Sequence, residues 1–463
     1  MKNRGTIILA TLLICFSAQI FSQNDYPLVS GPVLGPVELR TATILLEVKS
    51  FVKKVSIQYK AISLDSSQAA DPGLLTGIER YKGELGKEFN PIKIQIGGLK
   101  MNTAYEYKIF ADGKMVNLNY KTRFTTRDLW QHRKAAPDFS FLTGSCAYIN
   151  EKVFDRPGKP YGGDPKIFET MGATPASFML WLGDNWYYRE VDYYDKWGIY
   201  YRPSKDRSIP EYQKLWANMS HYAIWDDHDY GANDSDKTFP FKEETRKVFM
   251  DYWANPSYGQ EGKGVYTKFS YGDADFFLLD DRWFRSNDGL RDSVDGKANP
   301  TKKMWGNEQM EWLKNSLRGS YAPFKFIVNG SQILNPLSPY DCARHYPVEF
   351  KELFDFIADE NISGIVFISG DRHTSEVTKI EREGLYPLYD ITASPLTSGS
   401  HKFDGKEKVS PYRIYELVEK QNFSKISITG KKGKRKLVCS FIGVNGEDYG
   451  NWSVMEEELK AKN

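Results

Sequence analysis

The sequence predicts two units in tandem, a small all-β sandwich followed by a larger α/β domain. Three observations carry that prediction. Between residues 26 and 126, short alternating or apolar runs are separated by turn signals such as "DG" and "GG". From Asp138 onward, apolar runs instead alternate with segments of helical spacing. Several of these later runs end abruptly on ionisable residues, at the carboxyl ends of strands, where open α/β sheets gather their ligands. At 463 residues the chain is long enough for more than one domain, and its 41% hydrophobic and 26% charged content is that of a folded protein. A formal net charge of +2 makes no case for a nucleic-acid partner.

In chain order, Lys2 and Arg4 precede the apolar run "TIILATLLI" and the small and polar residues of "CFSAQIFSQ". This pattern predicts a secretory signal peptide over residues 1–22, cleaved after Ser22 or, as second choice, Ala18. The apolar stretch is shorter than a membrane span, and no later run reaches spanning length. Cys15 follows Ile14 rather than a small residue, which disfavours a lipid anchor. The expectation is therefore an exported protein, periplasmic or secreted. It would carry Cys146, Cys342 and Cys439, an odd number that leaves at least one thiol unpaired.

The sandwich is expected over residues 24–126, with strands in "TATILLEVK", "VSIQYK", "PIKIQI" and "AYEYKIF". "GLKMNTAYEYKIFADGK" followed by "YKTRFTT" is similar to the later strands of a fibronectin type III domain, with Tyr105 as a candidate tyrosine corner. Residues 127–137 read as a linker. The α/β domain, residues 138–455, has helices predicted in "PKIFETM", "FKEETRKVFMDYW", "NEQMEWLKNSL" and "PVEFKELFDFIADE". Asp164 is the expected N-cap of the first, with Pro165 at its first position. In the last, Phe350, Leu353, Phe354 and Ile357 share a core face. "FSKISITG" and "RKLVCSFIGV" bracket "KKGKRK", a hairpin with a solvated basic tip.

Six apolar runs of this domain end on polar chemistry. "FSFLTGSC" ends on Ser145 and Cys146, and "ASFMLWLGDNWYY" on Asp184 with Tyr187 beyond it. "YAIWDDHDYGAND" delivers Asp226, Asp227, His228 and Asp229, and "DFFLLDDRWFR" delivers Asp280, Asp281, Arg282 and Arg285. "KFIVNGSQI" places Asn329, Ser331 and Gln332, and "GIVFISGDRH" ends on Asp371, Arg372 and His373. One such ending is most often a helix cap or turn residue. Six together, with thiol, phenol and imidazole among them, need a cation, because these donors otherwise repel or stay unpaired. Asp184 has two oxygens and can bridge two ions, the arrangement that activates an attacking oxygen between metals and clamps a phosphoryl group. Thiolate and phenolate favour a ferric ion at one position. Oxygen ligands at the other suit calcium, with manganese or magnesium as alternatives. Ser145 as a nucleophile ranks far lower, since "TGSCA" lacks the G-x-S-x-G elbow.

The ordered set "GSC", "GDNWY", "WDDHDYGAND", "LLDDRWFR", "WGNEQMEWL" and "SGDRH" resembles the PhoD-like alkaline phosphatases of the calcineurin-like metallophosphatase group, across residues 138–400. The resemblance implies a four-layer αββα fold, two central sheets flanked by helices, behind the N-terminal sandwich. It implies a site with Fe3+ and Ca2+. Cys146, Asp184, Tyr187 and His373 would hold iron, with Asp184 bridging. Asp227 and Asp371 would hold the second metal, with Asn329 or Gln332 as further contributors. His228 would protonate the leaving group, and Arg282 and Arg285 would bind phosphate. Asp229 stands where many members have Glu, and "NWYYREVDYYDKWGIYYR" is aromatic enough to build a substrate-shaping wall. The expected activity is metal-dependent hydrolysis of a phosphoric ester, monoester or diester. The alternatives are a phospholipase-type phosphodiesterase on the same scaffold, and a non-catalytic surface protein in which the sandwich binds a partner.

Overall fold

In the computed structural model, residues 26–62, 76–417 and 420–461 are described. The signal-peptide expectation, residues 1–22, lies outside them. The four strands expected in the N-terminal unit form as Ala42–Val48, Val55–Ile62, Pro91–Ile96 and Ala104–Ala111. A fifth long strand, Leu28–Val37, was hidden from the pattern by its two prolines and two glycines. It pairs with Ala42–Val48, which pairs with Pro91–Ile96, while Val55–Ile62 and Ala104–Ala111 lie in a second sheet. Both sheets feed one core, in which Ile44, Leu46, Ile57, Tyr105 and Ile109 are buried. The Tyr105 hydroxyl accepts a hydrogen bond from the Lys100 amide at 2.9 Å.

The following domain holds two larger sheets. One runs Ser220–Ile224, Phe178–Leu182, Phe139–Gly144, Asn422–Thr429, Lys436–Gly443, Asp448–Met455, its first three strands parallel. The other runs Thr267–Tyr271, Ala274–Leu278, Phe324–Val328, Ile365–Ser369, Leu388–Thr392, Ser375–Ile380, Arg413–Leu417, with four parallel strands at its centre. The strand alternation explains how the layers stack. Phe178, Leu180 and Leu182 turn to a core shared with Phe276, Phe326 and Val366 of the second sheet. Met179 and Trp181 turn the other way, onto Phe168, Leu215, Trp216 and Phe249 of the covering helices. The parallel strands are apolar on both faces for that reason.

All four expected helices form, as Lys166–Ala173, Lys242–Tyr252, Gly306–Arg318 and Pro347–Asp359. The first starts one residue later than expected, with Pro165 at the cap and the Asp164 side chain accepting from the Lys166 amide at 2.9 Å. The aromatic stretch expected to be a wall is partly helix, Lys196–Arg207, in which Asp195 caps by accepting from Gly198. "FSKISITG" and "RKLVCSFIGV" pair as the expected antiparallel hairpin.

The N-terminal unit does not stand apart. Val33 and Leu45 join the core formed by Tyr212, Trp253 and Ala254. Buried Glu47 accepts a hydrogen bond from Ser204 at 2.9 Å, and Gln213 accepts one from the Gly31 amide at 2.9 Å. Among the described residues no helix is long and apolar enough to cross a membrane.

Candidate metal centre

The strand register brings the polar endings together. Leu142 pairs with Met179 and Met179 with His221, so the loops after Gly144, Leu182 and Ile224 emerge side by side. The facing sheet brings the end of Ile365–Ser369 to the same place. The approach is close: a Cβ on Gly183, whose φ is +88°, would sit 2.6 Å from Asp226 Cβ and 2.8 Å from its amide nitrogen. A Cβ on Gly330 would sit 2.7 Å from Asp226 Cγ. Four of the expected ligands have left-handed backbone, with φ of 63° at Cys146, 52° at Asp184, 66° at Asp371 and 55° at His373. Such conformations are uncommon outside glycine and gather where a site over-determines the chain.

Cys146, Asp184 and His373 present donor atoms within 4.8 Å of one another. Tyr187 completes that group: its hydroxyl lies 2.9 Å from Asp184 Oδ2 and 3.3 Å from His373 Nε2. The Cys146 thiol is 3.5 Å from Asp184 Oδ2. Because the Gly399 carbonyl, 2.6 Å from His373 Nδ1, can only accept, Nδ1 carries the proton and Nε2 keeps its lone pair for the cluster. A second group, also within 4.8 Å, joins Asp184 to Asp227 and His228. Asp184 belongs to both, the position a bridging carboxylate needs. The His228 ring packs on Tyr187 with centroids 4.1 Å apart, and its amide donates to Asp184 Oδ1 at 3.3 Å. Asp371 lines the same cleft, but its carboxylate falls in neither group.

This cleft, about 570 Å³, is also lined by Tyr161, Arg285, Asp341 and His401. Arg282 is fully buried behind it, bonded to Asp226 at 2.5 Å and to Asp341 at 2.7 Å. Arg285 meets the other oxygen of Asp341 at 2.8 Å. Nε and Nη1 of Arg285 and Nη1 of Arg282 are buried without a hydrogen-bond partner among the described residues. Asn329 and Gln332 are not brought to the cleft. Asn329 is held by Trp305 and Asp281, and Gln332 by Glu376, Thr392 and Arg372. Asp280 and Asp229 serve as struts: Asp280 accepts from Trp225, Val265, Arg282 and Trp283, and Asp229 from the Asp226 and Asn185 amides. Arg372 is another strut, bonded to Glu407 at 2.8 Å and to Ser338 at 2.6 Å. Sequence reasoning missed Tyr161, whose hydroxyl is 2.9 Å from His373 Nδ1, and Asp341, which joins the two arginines. Neither follows an apolar run, so no local signal marks them.

The electrostatics are those of too many acids in a dry space. Burial, then the neighbouring Cys146 and Asp227, pushes Asp184 well above the usual carboxylate range. Burial with Asp341 and Asp227 lifts Asp371 to about 7, and burial with Asp371 lifts the Cys146 thiol to about 11. Asp227 goes the other way, since His228 and Arg282 outweigh its burial and hold it below the usual range, and Asp341 is likewise lowered, by Arg285 and Arg282. Asp227 Oδ1 is buried with no hydrogen-bond partner among the described residues. Thiol, phenol, imidazole and carboxylate in one group, and this orphaned oxygen in the group that shares Asp184 with it, are a donor set that fits cations, which would compete with protons for the same lone pairs. Cys146, Cys342 and Cys439 are all buried free thiols.

Two facing mixed sheets, with these donors at their parallel strand ends, define a protein of the metallophosphatase fold. Two solved structures share that fold. "Structure of PhoD" matches with a TM-score of 0.73 at 16% identity, covering 94% of this chain and 92% of that one. A purple acid phosphatase from yellow lupin seeds matches with a TM-score of 0.61 at 11% identity, covering 92% and 74%. Residues 141–437 match the PhoD-like phosphatase family, and the chain belongs to it. Alkaline phosphatase D of Bacillus subtilis is 24% identical over 350 residues, which are 64% of this chain and 58% of that protein.

Proposed function

We propose that the chain is an exported, metal-dependent phosphoric-ester hydrolase with Fe3+ and Ca2+ at its centre. The observation that carries this is the convergence of Cys146, Asp184, Tyr187 and His373 on one point, with Asp184 shared by a second group containing Asp227. The resemblance to alkaline phosphatase D supports the reaction class. Cys146, Tyr187 and His373 would hold the iron, Asp227 and Asp371 the second ion, and Asp184 both. Bound there, the ions supply Lewis acidity toward water and the phosphoryl oxygens.

The chain's own residues do the rest. Arg285 belongs to the cleft wall and keeps two buried guanidinium nitrogens without a hydrogen-bond partner among the described residues, and it would orient phosphoryl oxygens. Arg282 supports it from behind through Asp341. Water adds its oxygen to phosphorus and sheds one proton to solvent, the ester P–O bond breaks, and His228 gives the departing oxygen a proton from a ring nitrogen that solvent then replaces. The N-terminal unit, packed through Val33, Leu45 and Glu47, buttresses the helices behind the site.

The test is metal analysis of purified protein combined with assays on a monoester, a diester and a phospholipid, repeated with Asp184→Asn. Bound iron with turnover of at least one ester, both lost in the variant, is the expected result. A variant that keeps near-normal activity and metal content would remove the shared-carboxylate centre.

A further inference from the structure

Tyr161, His228 and Asn233 each line two clefts at once. One is the metal cleft. The other, about 610 Å³, has Tyr187 and Tyr188 in its lining together with Tyr148, Phe154 and Tyr193. We propose that this second cleft receives the alcohol portion of the ester, and that it selects alcohols carrying a flat ring over small alkyl groups. The proposal rests on the hydrolase reading above, with His228 as proton donor.

Position is the first argument. A proton donor must lie within hydrogen-bond reach of the departing oxygen. His228 stands on the partition, so that oxygen lies at the partition too. The phosphoryl group belongs with the donors and Arg285 in the metal cleft. The alcohol, attached to the same oxygen but pointing away from phosphorus, then extends into the other cleft.

Wall chemistry is the second. Tyr148 is held rigid: Arg189 lies over its ring at 3.8 Å, its hydroxyl donates to Asp155 at 2.8 Å, and its ring packs edge-on against Tyr161 with centroids 5.0 Å apart. Phe154 and Tyr193, both partly exposed, form the outer wall. Ring faces so arranged fit a planar group by stacking or edge contact. Of the two arginines in the lining, buried Arg189 is committed to Asp155 at 3.0 Å, and Arg156 pairs with Glu190 at 3.1 Å at the exposed rim. The inner wall of the cleft therefore offers ring faces, while Arg156 and Lys159 stand at its rim.

The experiment compares kcat/KM for benzyl and ethyl phosphate, and for the symmetric dibenzyl and diethyl diesters. The paired alcohols have similar acidity, so the chemical step is matched and the ratio reads the fit of the ring. The wild type is expected to favour the benzyl member. Phe154→Ala and Tyr193→Ala should each lower the benzyl-to-ethyl ratio by about 3- to 10-fold, mainly through KM, as loss of one aromatic contact implies. Tyr193→Phe should keep the ratio. Equal turnover of the two esters by the wild type, or a ratio unmoved by both alanine variants, overturns the assignment. Turnover of neither ester type by metal-loaded wild type refutes the hydrolase reading itself, a separate result.

Discussion

Buried His221 makes the stability of this fold depend on acidity in a calculable way. It lies on the Ser220–Ile224 strand, whose end delivers Asp227, with its ring enclosed by Trp181 and Trp216. Nδ1 accepts from Trp181 Nε1 at 3.0 Å and Nε2 donates to the Leu215 carbonyl at 3.1 Å, so the neutral ring is fully bonded. A second proton would have to go on Nδ1, facing another donor. Burial therefore lowers its pKa from 6.5 to about 3. As pH falls below 6.5 the unfolded chain takes up a proton that the folded chain refuses, so stability present at pH 7.5 is lost on acidification. The loss grows by about 1.4 kcal/mol per pH unit, reaching about 2 kcal/mol at pH 5. Urea unfolding of wild type and His221→Gln at pH 7.5, 6 and 5 measures it. Acid loss of metal affects both proteins alike, so the difference between them isolates the ring. The variant should be less stable at pH 7.5 and close the gap by about 2 kcal/mol at pH 5. Curves that fall in parallel would refute the argument.

Four further outcomes are expected. His228→Ala should lower turnover by roughly 10²–10⁴-fold while keeping both metals, with the smallest loss for esters of good leaving groups; an equal loss for aryl and alkyl esters would make it a ligand instead. Iron bound by Cys146 and Tyr187 should colour the protein by charge transfer, and Cys146→Ser and Tyr187→Phe should each shift that band. The metal-bound thiolate should resist alkylation until iron is removed, as mass spectrometry can show. Glu47, lifted to about 7 by burial, costs stability as pH rises from 4.5 through 7. Glu47→Gln should therefore gain about 3 kcal/mol on wild type across that window in pH-resolved unfolding, and no relative gain would count against the burial argument.

Much of this was legible from local pattern. An apolar run closed by glycine and an acid marks a buried strand and its loop, so Cys146, Asp184, Asp227 and His373 stood out before any geometry was known. Helices announced themselves through spacing and caps, and the family resemblance rested on the same endings. What local pattern did not carry was the destination of each side chain. Asp226, Asp227 and Asp229 are almost indistinguishable as text, yet one clamps Arg282, one faces the cleft and one braces backbone amides. Asp371 and Asn329 both follow buried strands, but only Asp371 lines the cleft. Asp341 and Tyr161 come from irregular segments that carry no periodic signal. The helix Lys196–Arg207 was obscured by aromatics and an internal proline. Strand identity is set by contacts a few residues apart, which a sequence displays directly. The choice between ligand and strut is made by strand register and by neighbours far along the chain, as in the Ser394 hydroxyl that donates to the Cys146 sulfur at 3.2 Å across 248 residues, and only the folded chain brings such pairs together.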